Sequence, residues 1–222
     1  TTINRVTPVQ VTSLSNVIAV SASGLHTLFL KSNGTVWGSG LNSRGQLGIG
    51  YNSGQEITPV QAINLSGITQ IAAGNDHSVY LKNDNTLWVC GYNYYGALGN
   101  GTTTDQSTPI QTTTGVIHIA AGYTSTIFVK SNGTVWCCGE NKYGLTGDAV
   151  VTNSLVPVQA SGLSDIIYAY AGKSFHCLFV KNDGSAWGFG RHQYGQLGGY
   201  TNPLQLSAVP VTGLTGVKAV SA

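Results

Sequence analysis

Three histidines recur at one place in a repeated stretch and are the first candidates for chemistry. His26, His77 and His176 each stand eleven residues before a tryptophan, and imidazoles brought together can bind a metal ion. Because each belongs to a different copy of the repeat, we expect the three rings to lie apart, each buried and hydrogen-bonded to the backbone. The sequence therefore predicts no metal site here.

The acidic residues and the cysteines give no catalytic pattern either. Asp84 and Asp183 fall in turns, and no other two carboxylates have the spacing of an acid–base couple or a calcium loop. The four cysteines form no CxxC pair, and Cys137 and Cys138 are adjacent, so we interpret all four as small buried apolar groups. No glycine-rich phosphate loop with a lysine is present. We therefore predict no enzymatic activity, no catalytic residue and no cofactor.

Composition and charge narrow the class of partner. Lysine and arginine number 10 against 8 acidic residues, and only 8% of the 222 residues are charged, whereas about 25% is typical. The basic residues form no run, which disfavours nucleic-acid binding, and no apolar stretch reaches the ~20 residues of a membrane span. The bias to Asn, Thr, Ser and Gly predicts an extracellular or cell-surface protein, and the start without Met or signal core suggests mature or excised sequence.

The four tryptophans mark an internal repeat. They are separated by 51, 48 and 51 residues and are used once per unit. Self-similarity at this period indicates an architecture built from stacked supersecondary units. The tryptophans are Trp37, Trp88, Trp136 and Trp187.

Each unit contains the signals of four strands. A turn pair three or four residues before each tryptophan predicts a hairpin with a type I′ turn, and its first arm is continuously apolar, as in a strand covered on both faces. An earlier segment ends in Ala and Gly, which suits an inner strand at a crowded axis. A later strand contains proline, which suits an outer edge. The turn pairs are Asn33-Gly34, Asp84-Asn85, Asn132-Gly133 and Asp183-Gly184; the inner segments are 18–22, 68–74, 116–122 and 166–172; the edge pairs are Pro59-Val60, Pro109-Ile110, Pro157-Val158 and Pro210-Val211.

These four strands form one blade, so the sequence predicts an all-β β-propeller of four-stranded blades with four complete repeats of about 50 residues. We expect residues 1–222 to be a single repeat domain, with blades centred on the four tryptophans. Residues 217–222 are expected to be the inner strand of a further blade.

The repeat resembles that of the regulator-of-chromosome-condensation family. The family motif is matched by GLHTLFL at 24–30 followed by WGSGLNSRGQLG at 37–48, by AAGNDH at 72–77 with GYNYYGALG at 91–99, and by GRHQYGQLG at 190–198. The third unit departs from it, because Ser125 replaces the histidine and Leu145-Thr146 stands where Gln-Leu is usual. The resemblance implies a ring of about seven blades. Four units are then either part of a longer propeller or a chain that completes its ring with other copies, and a stable folded monomer is not expected.

Candidate binding residues lie in the variable loop five to seven positions after each tryptophan. Equivalent loops emerge on one face of a propeller, and Arg and Tyr are enriched in interface hot spots. The alternative is that the tyrosines only cover the apolar end of each blade. The candidates are Arg44, Tyr94, Tyr95, Lys142, Tyr143, His192 and Tyr194.

The resemblance implies protein binding as the shared property of exchange factors, ligase accessory domains and secreted inhibitors of β-lactamases. We expect a non-enzymatic protein-binding or surface-adhesive scaffold, whose partner is a protein that includes, as one option, copies of this chain. Alternatives are a guanine-nucleotide exchange factor, a secreted enzyme inhibitor, and a structural subunit of a filament or surface layer. The even spacing leaves no room for the insertion that nucleotide exchange would need.

Overall fold

The computed structural model describes residues 6–199 and 201–221, and every regular element within them is a β-strand. The sixteen strands form four antiparallel sheets, each containing four strands consecutive in sequence. The first sheet is β1 (Val17–Ser23), β2 (His26–Lys31), β3 (Val36–Asn42) and β4 (Ser53–Gln61). The second is β5 (Ile68–Ala73), β6 (His77–Lys82), β7 (Leu87–Gly91) and β8 (Gln106–Thr113). The third is β9 (Val116–Ala121), β10 (Ser125–Lys130), β11 (Val135–Gly139) and β12 (Ser154–Gln159). The fourth is β13 (Ile166–Ala171), β14 (His176–Lys181), β15 (Ala186–Arg191) and β16 (Leu204–Pro210).

Each sheet is a blade of the predicted kind, so the all-β propeller architecture is confirmed. The proline-containing strands β4, β8, β12 and β16 pair with one neighbour only. An outer position suits proline because it has no N–H to donate to a second strand. The inner strands β1, β5, β9 and β13 contact one another in chain order. Alanines from all four inner strands line a common cavity of about 530 Å³.

The hairpin turns exist where predicted, but the type I′ assignment is wrong. In the first blade Gly34 N donates to Lys31 O at 2.9 Å and Lys31 N donates to Thr35 O at 3.0 Å. Gly34 has a φ of 74°, whereas Asn33 has no positive φ. The loop is therefore a three-residue turn with one left-handed residue at its end. The first residue of the turn pair, Asn33, stabilises this loop, because its Oδ1 accepts a hydrogen bond from Thr35 Oγ1 at 2.7 Å.

The core consists of apolar side chains at the three junctions between successive blades. Leu28 and Leu30 of the first blade share a cluster with Tyr80 of the second. Phe128 of the third blade packs against strands of the second, and Phe179 of the fourth packs against the third. Each strand pair is thus covered by the neighbouring blade, as its continuous apolar sequence indicated.

The repeat histidine interacts with the backbone, as expected, and also bonds across a blade junction. His26 Nε2 lies 2.9 Å from Ser78 Oγ, and that hydroxyl donates to the carbonyl of Gln46 at 2.6 Å. The next junction repeats the arrangement: His77 Nε2 lies 3.1 Å from Thr126 Oγ1, which donates to a loop carbonyl of the second blade at 2.7 Å. Because each hydroxyl gives its proton to a carbonyl, it accepts from Nε2–H. The histidine therefore links its own blade to the next one.

The junction between the third and fourth blades lacks both halves of this link. Ser125 occupies the histidine position, and Cys177 occupies the position of the hydroxyl. Cys177 is buried in the apolar cluster of this junction. Loss of the imidazole is thus accompanied by loss of the polar group that it would have contacted.

The last described residues continue the repeat in one respect. Val217 N donates to Gly184 O at 2.9 Å, as Ile68 N donates to Gly34 O at 3.0 Å where the second blade begins. Residues 217–221 form no strand, and Ala222 lies outside the described residues. The inner strand of a further blade at 217–222 stays a prediction.

Candidate functional site

The predicted loops emerge on one face of the arc of blades. In an antiparallel meander the first and third connections lie at the same end of the sheet. That end, which we call the loop face, carries short turns and longer loops from all four blades. The turns are 24–25, 74–76, 122–124 and 172–175, and the loops are 43–52, 92–105, 140–153 and 192–199 with 201–203.

Each long loop is held by a buried residue five positions after the tryptophan. Asn42 Oδ1 accepts a bond from Leu47 N at 3.1 Å, and the corresponding asparagines of the second and third blades make the same bond at 3.0 and 2.8 Å. In the fourth blade His192 takes this place, and its Nδ1 accepts from Leu197 N at 2.9 Å. His192 is only 3% exposed. Its prediction as a partner-binding residue is corrected, because its ring is used to hold the loop.

The first two blades form one aromatic cluster, which we call the Tyr92 cluster. The Tyr92 ring stacks on Tyr94 at 6.4 Å and meets Tyr95 edge-on at 6.3 Å. The guanidinium of Arg44 lies 5.0 Å from the centre of the Tyr92 ring and 3.4 Å from a carboxylate oxygen of Asp105. Arg44 of one blade is therefore paired with two groups of the next.

The third and fourth blades form a second group, which we call the Phe175 cluster. The Phe175 ring lies 4.8 Å from the Tyr143 ring and 5.5 Å from the Tyr123 ring. The guanidinium of Arg191 lies 5.5 Å from the centre of Tyr143 and 5.9 Å from that of Tyr194.

Lys142 adds a positive charge to this group. Its ammonium lies 5.1 Å from the Tyr143 ring and 2.9 Å from an oxygen of Glu140, which is itself buried and also accepts a bond from Thr124. The hydrogen bond with Glu140 raises the pKa of Lys142, so the lysine is charged at neutral pH.

The structure thus brings six of the seven predicted residues to two neighbouring clusters. Tyr94 and Tyr194 are the most exposed, at 63% and 81%. Sequence reasoning missed Tyr92, Arg191 and Phe175. A signal for the first two was present, because the position four after each tryptophan is Leu, Tyr, Glu or Arg in the four units and so differs in every blade.

These clusters offer aromatic faces, phenol groups and cations, but no activated nucleophile. Burial raises the pKa of the Tyr92 phenol. The thiols lie in the core, where burial raises the pKa of Cys90 and of Cys138 to about 12, so they remain protonated. Among residues 6–199 and 201–221 no three His, Cys, Asp or Glu side chains lie close enough together to hold a metal ion. In the same residues no helix has the length and apolar character to cross a membrane.

Comparison with known proteins identifies the repeat. Two models described as regulator of chromosome condensation (RCC1) repeat match this chain. One matches residues 17–46, 68–97 and 116–145, and the other matches 33–81 and 84–129. Together they cover more than half of the chain.

Individual relatives agree with this match. The mitochondrial RCC1 domain-containing protein RUG3 of Arabidopsis thaliana is 35% identical over 96 residues, which are 43% of this chain and 22% of that protein. Human WBSCR16 superposes with a TM-score of 0.81 at 22% identity, over 93% of this chain and 57% of that one. Yeast RCC1 (Prp20), in its complex with Kap60, gives a TM-score of 0.78 at 19% identity, over 89% of this chain and 49% of that one.

The two structural likenesses, at such low identity, are evidence for the fold alone. The chain corresponds to about half the length of these solved structures, and its match to RUG3 covers about a fifth of that protein.

Proposed function

We propose that this chain, which belongs to the family of RCC1 repeat proteins, is a non-enzymatic scaffold that binds a partner protein through its loop face. The observation that carries the proposal is the pair of clusters in which arginines lie near tyrosine rings on one side of the blades, with Tyr94 and Tyr194 exposed. Tyrosine and arginine contribute large contact areas and directed hydrogen bonds, and they lead the residue types found in hot spots.

Two further observations support protein binding. The loops are fixed by buried asparagine or histidine, so their aromatic residues lose little conformational freedom on binding. The fold neighbour RCC1 (Prp20) of yeast has been crystallised bound to the protein Kap60. For this chain we propose a protein partner without naming which protein it is.

Association with copies of the chain is a second candidate, favoured by one apolar surface. Val17 and Val20 on β1 are 36% and 58% exposed, whereas their counterparts Ile68 and Ile71 pack into the junction with the first blade. The mass of the purified chain, measured by light scattering over a range of concentrations, tests this candidate. A discrete oligomer supports it, and a folded monomer at all concentrations contradicts it.

The loop-face proposal is tested by capture with matched variants. The immobilised chain is incubated with cell extract and with secreted proteins of its source organism, and the captured proteins are quantified by mass spectrometry. We expect a set of proteins that is lost with the Tyr94→Ser/Tyr194→Ser variant. The control Ile57→Ser/Val156→Ser removes similarly exposed apolar groups from the edge strands β4 and β12, and it should retain that set.

An unchanged set of captured proteins with the loop-face variant would contradict the proposal. If a captured protein is a small GTPase, its rate of nucleotide release with and without the chain decides whether the activity is exchange. A captured hydrolase whose activity falls on addition of the chain would instead identify an inhibitor.

A further inference from the structure

The turn that carries Phe175 differs from its three counterparts. Three positions separate Gly74 from His77, and three separate the equivalent residues of the first and third blades, which are Ser23 with His26 and Gly122 with Ser125. In the fourth blade four positions separate Gly172 from His176. In the second and fourth blades alike the glycine N–H donates to the histidine carbonyl, at 2.9 Å. The fourth blade therefore accommodates one extra residue without losing the closing bond of the turn.

The extra residue places an aromatic side chain in an unfavourable backbone conformation. Phe175 has a φ of 63°, in the left-handed region that bulky residues rarely occupy. The corresponding residues Leu25, Asp76 and Thr124 have no positive φ. Strained residues of this kind persist where the surroundings hold them, and they concentrate at binding sites. Here Phe175 contacts the rings of Tyr143 and Tyr123, and the ammonium of Lys142 lies 5.3 Å from the centre of its ring.

The charges around this turn are not balanced. Arg44 is paired with Asp105 and Lys142 with Glu140. Arg191 makes no ion pair with any residue in the part of the chain that the structure describes. Its guanidinium instead lies near two rings, 5.5 Å from the centre of Tyr143 and 5.9 Å from that of Tyr194. A guanidinium that contacts aromatic rings and has no carboxylate partner can bind a carboxylate with two parallel hydrogen bonds.

From these observations we infer that the Phe175 cluster is a subsite for an acidic segment of the partner protein, in which Arg191 binds a carboxylate and Phe175 with Tyr123 receives a neighbouring apolar side chain. Lys173, exposed in the same turn, adds to the positive potential. The inference rests on the proposed function and states the chemistry of its partner. Protein is favoured over nucleic acid because the site presents one unpaired arginine among aromatic rings and no row of cations that could follow a phosphate backbone.

The experiment uses a labelled peptide whose charge can be removed. A fluorescein-labelled twelve-residue peptide of alternating glutamate and tryptophan is titrated with the chain and followed by fluorescence anisotropy, and a second peptide has glutamine in place of glutamate. We expect the acidic peptide to bind at least about tenfold tighter than the neutral one at low salt. The difference should shrink as salt is added.

Variants assign the effect to the subsite. Arg191→Gln should reduce binding of the acidic peptide to the level of the neutral peptide. Lys181→Gln is the matched control, since that lysine also lies over an aromatic ring, 4.3 Å from the centre of Trp187, but at the end of the fourth blade opposite the loop face, and it should change affinity by less than about twofold. Phe175→Gly removes the ring at a φ that glycine adopts freely, so the variant should fold and bind both peptides more weakly.

Equal affinity for the two peptides, or an equal loss from Lys181→Gln and Arg191→Gln, would overturn the inference. Tighter binding of a twelve-nucleotide oligothymidine that Arg191→Gln abolishes would also overturn it, in favour of phosphate recognition. If the peptides fail to bind while protein capture still depends on Tyr94 and Tyr194, the proposed function stands and only the acidic subsite is wrong.

Discussion

Lowering the pH should begin to destabilise the chain near pH 6.5, before its carboxylates take up protons. His26 and His77 are buried at the first two blade junctions, where burial lowers their pKa from 6.5 to about 4 and about 3. The unfolded chain takes up protons near the ordinary histidine pKa, whereas the folded chain does not. The stability that the two neutral rings provide is therefore complete above about pH 6.5 and is lost as the pH falls toward the folded values.

The size of this effect follows from linkage. Each pH unit between the two pKa values costs about 1.4 kcal/mol per histidine, so a fall from pH 7.5 to pH 4.5 should cost about 2.5 kcal/mol for each ring. The two histidines together should lower the free energy of unfolding by about 5 kcal/mol, a large part of the ~5–15 kcal/mol of an ordinary domain. Burial also lowers the pKa of His118, to about 4, and that of His176. Urea unfolding at the two pH values, followed by tryptophan fluorescence, should therefore show a loss of at least this size.

The chain itself suggests the variant that isolates one histidine. The Ser125 and Cys177 pair of the third junction can be copied into the second as His77→Ser with Thr126→Cys, which removes one titrating ring. Between pH 7.5 and pH 4.5 this variant should lose about 2.5 kcal/mol less stability than the unchanged chain. The control Thr126→Ser keeps a hydroxyl like that of Ser78 and should show the full loss. If the double variant loses as much as the unchanged chain, or if stability is the same at both pH values, the buried-histidine argument is refuted.

Three other properties can be tested on the purified chain. His192→Ala should destabilise the fold by ~1–3 kcal/mol because the N–H of Leu197 loses its acceptor, whereas His192→Asn should be tolerated, since asparagine holds the other three loops; urea unfolding of the two variants decides. Gly74→Ala should cost about 2 kcal/mol or more, because its Cβ would lie 2.1 Å from the ring of His77, while Gly54→Ala, with no atom within 4 Å, should be neutral in thermal unfolding. The four buried thiols should be inert to a thiol reagent in the folded chain and should all react in urea.

The strand pattern was predictable because each strand signal is local. The tryptophan spacing, the turn pairs and the prolines report on conformations within one blade, so they located all four strands of each unit. The turn type was missed since Asn33-Gly34 fits two hairpin geometries. The bond from Asn33 to Thr35, which involves a residue beyond the pair, selects the three-residue loop.

The contacts between blades were not predictable from one unit. The partner of His26 is Ser78, which lies 52 residues away, and only the packing of successive blades brings the two together. The Phe175 cluster was missed for a related reason. One extra residue in a turn is a small change in sequence, yet it moves an aromatic ring next to Tyr143 of another blade.

The departures from the repeat are concentrated where the unpaired arginine lies. At the third junction Ser125 and Cys177 stand in place of the histidine and the hydroxyl residue. In the fourth blade His192 stands in place of the loop asparagine, and the turn that carries Phe175 has one extra residue. At the first two junctions the repeat histidine makes an equivalent hydrogen bond to a hydroxyl group of the next blade. At the junction between the third and fourth blades, which lacks the histidine link, two other groups of contacts join the blades. They are the buried apolar cluster that contains Cys177 and the Phe175 cluster on the loop face. The part of the molecule that differs most from the repeat is therefore where we propose that the partner is selected, through Arg191 and Phe175.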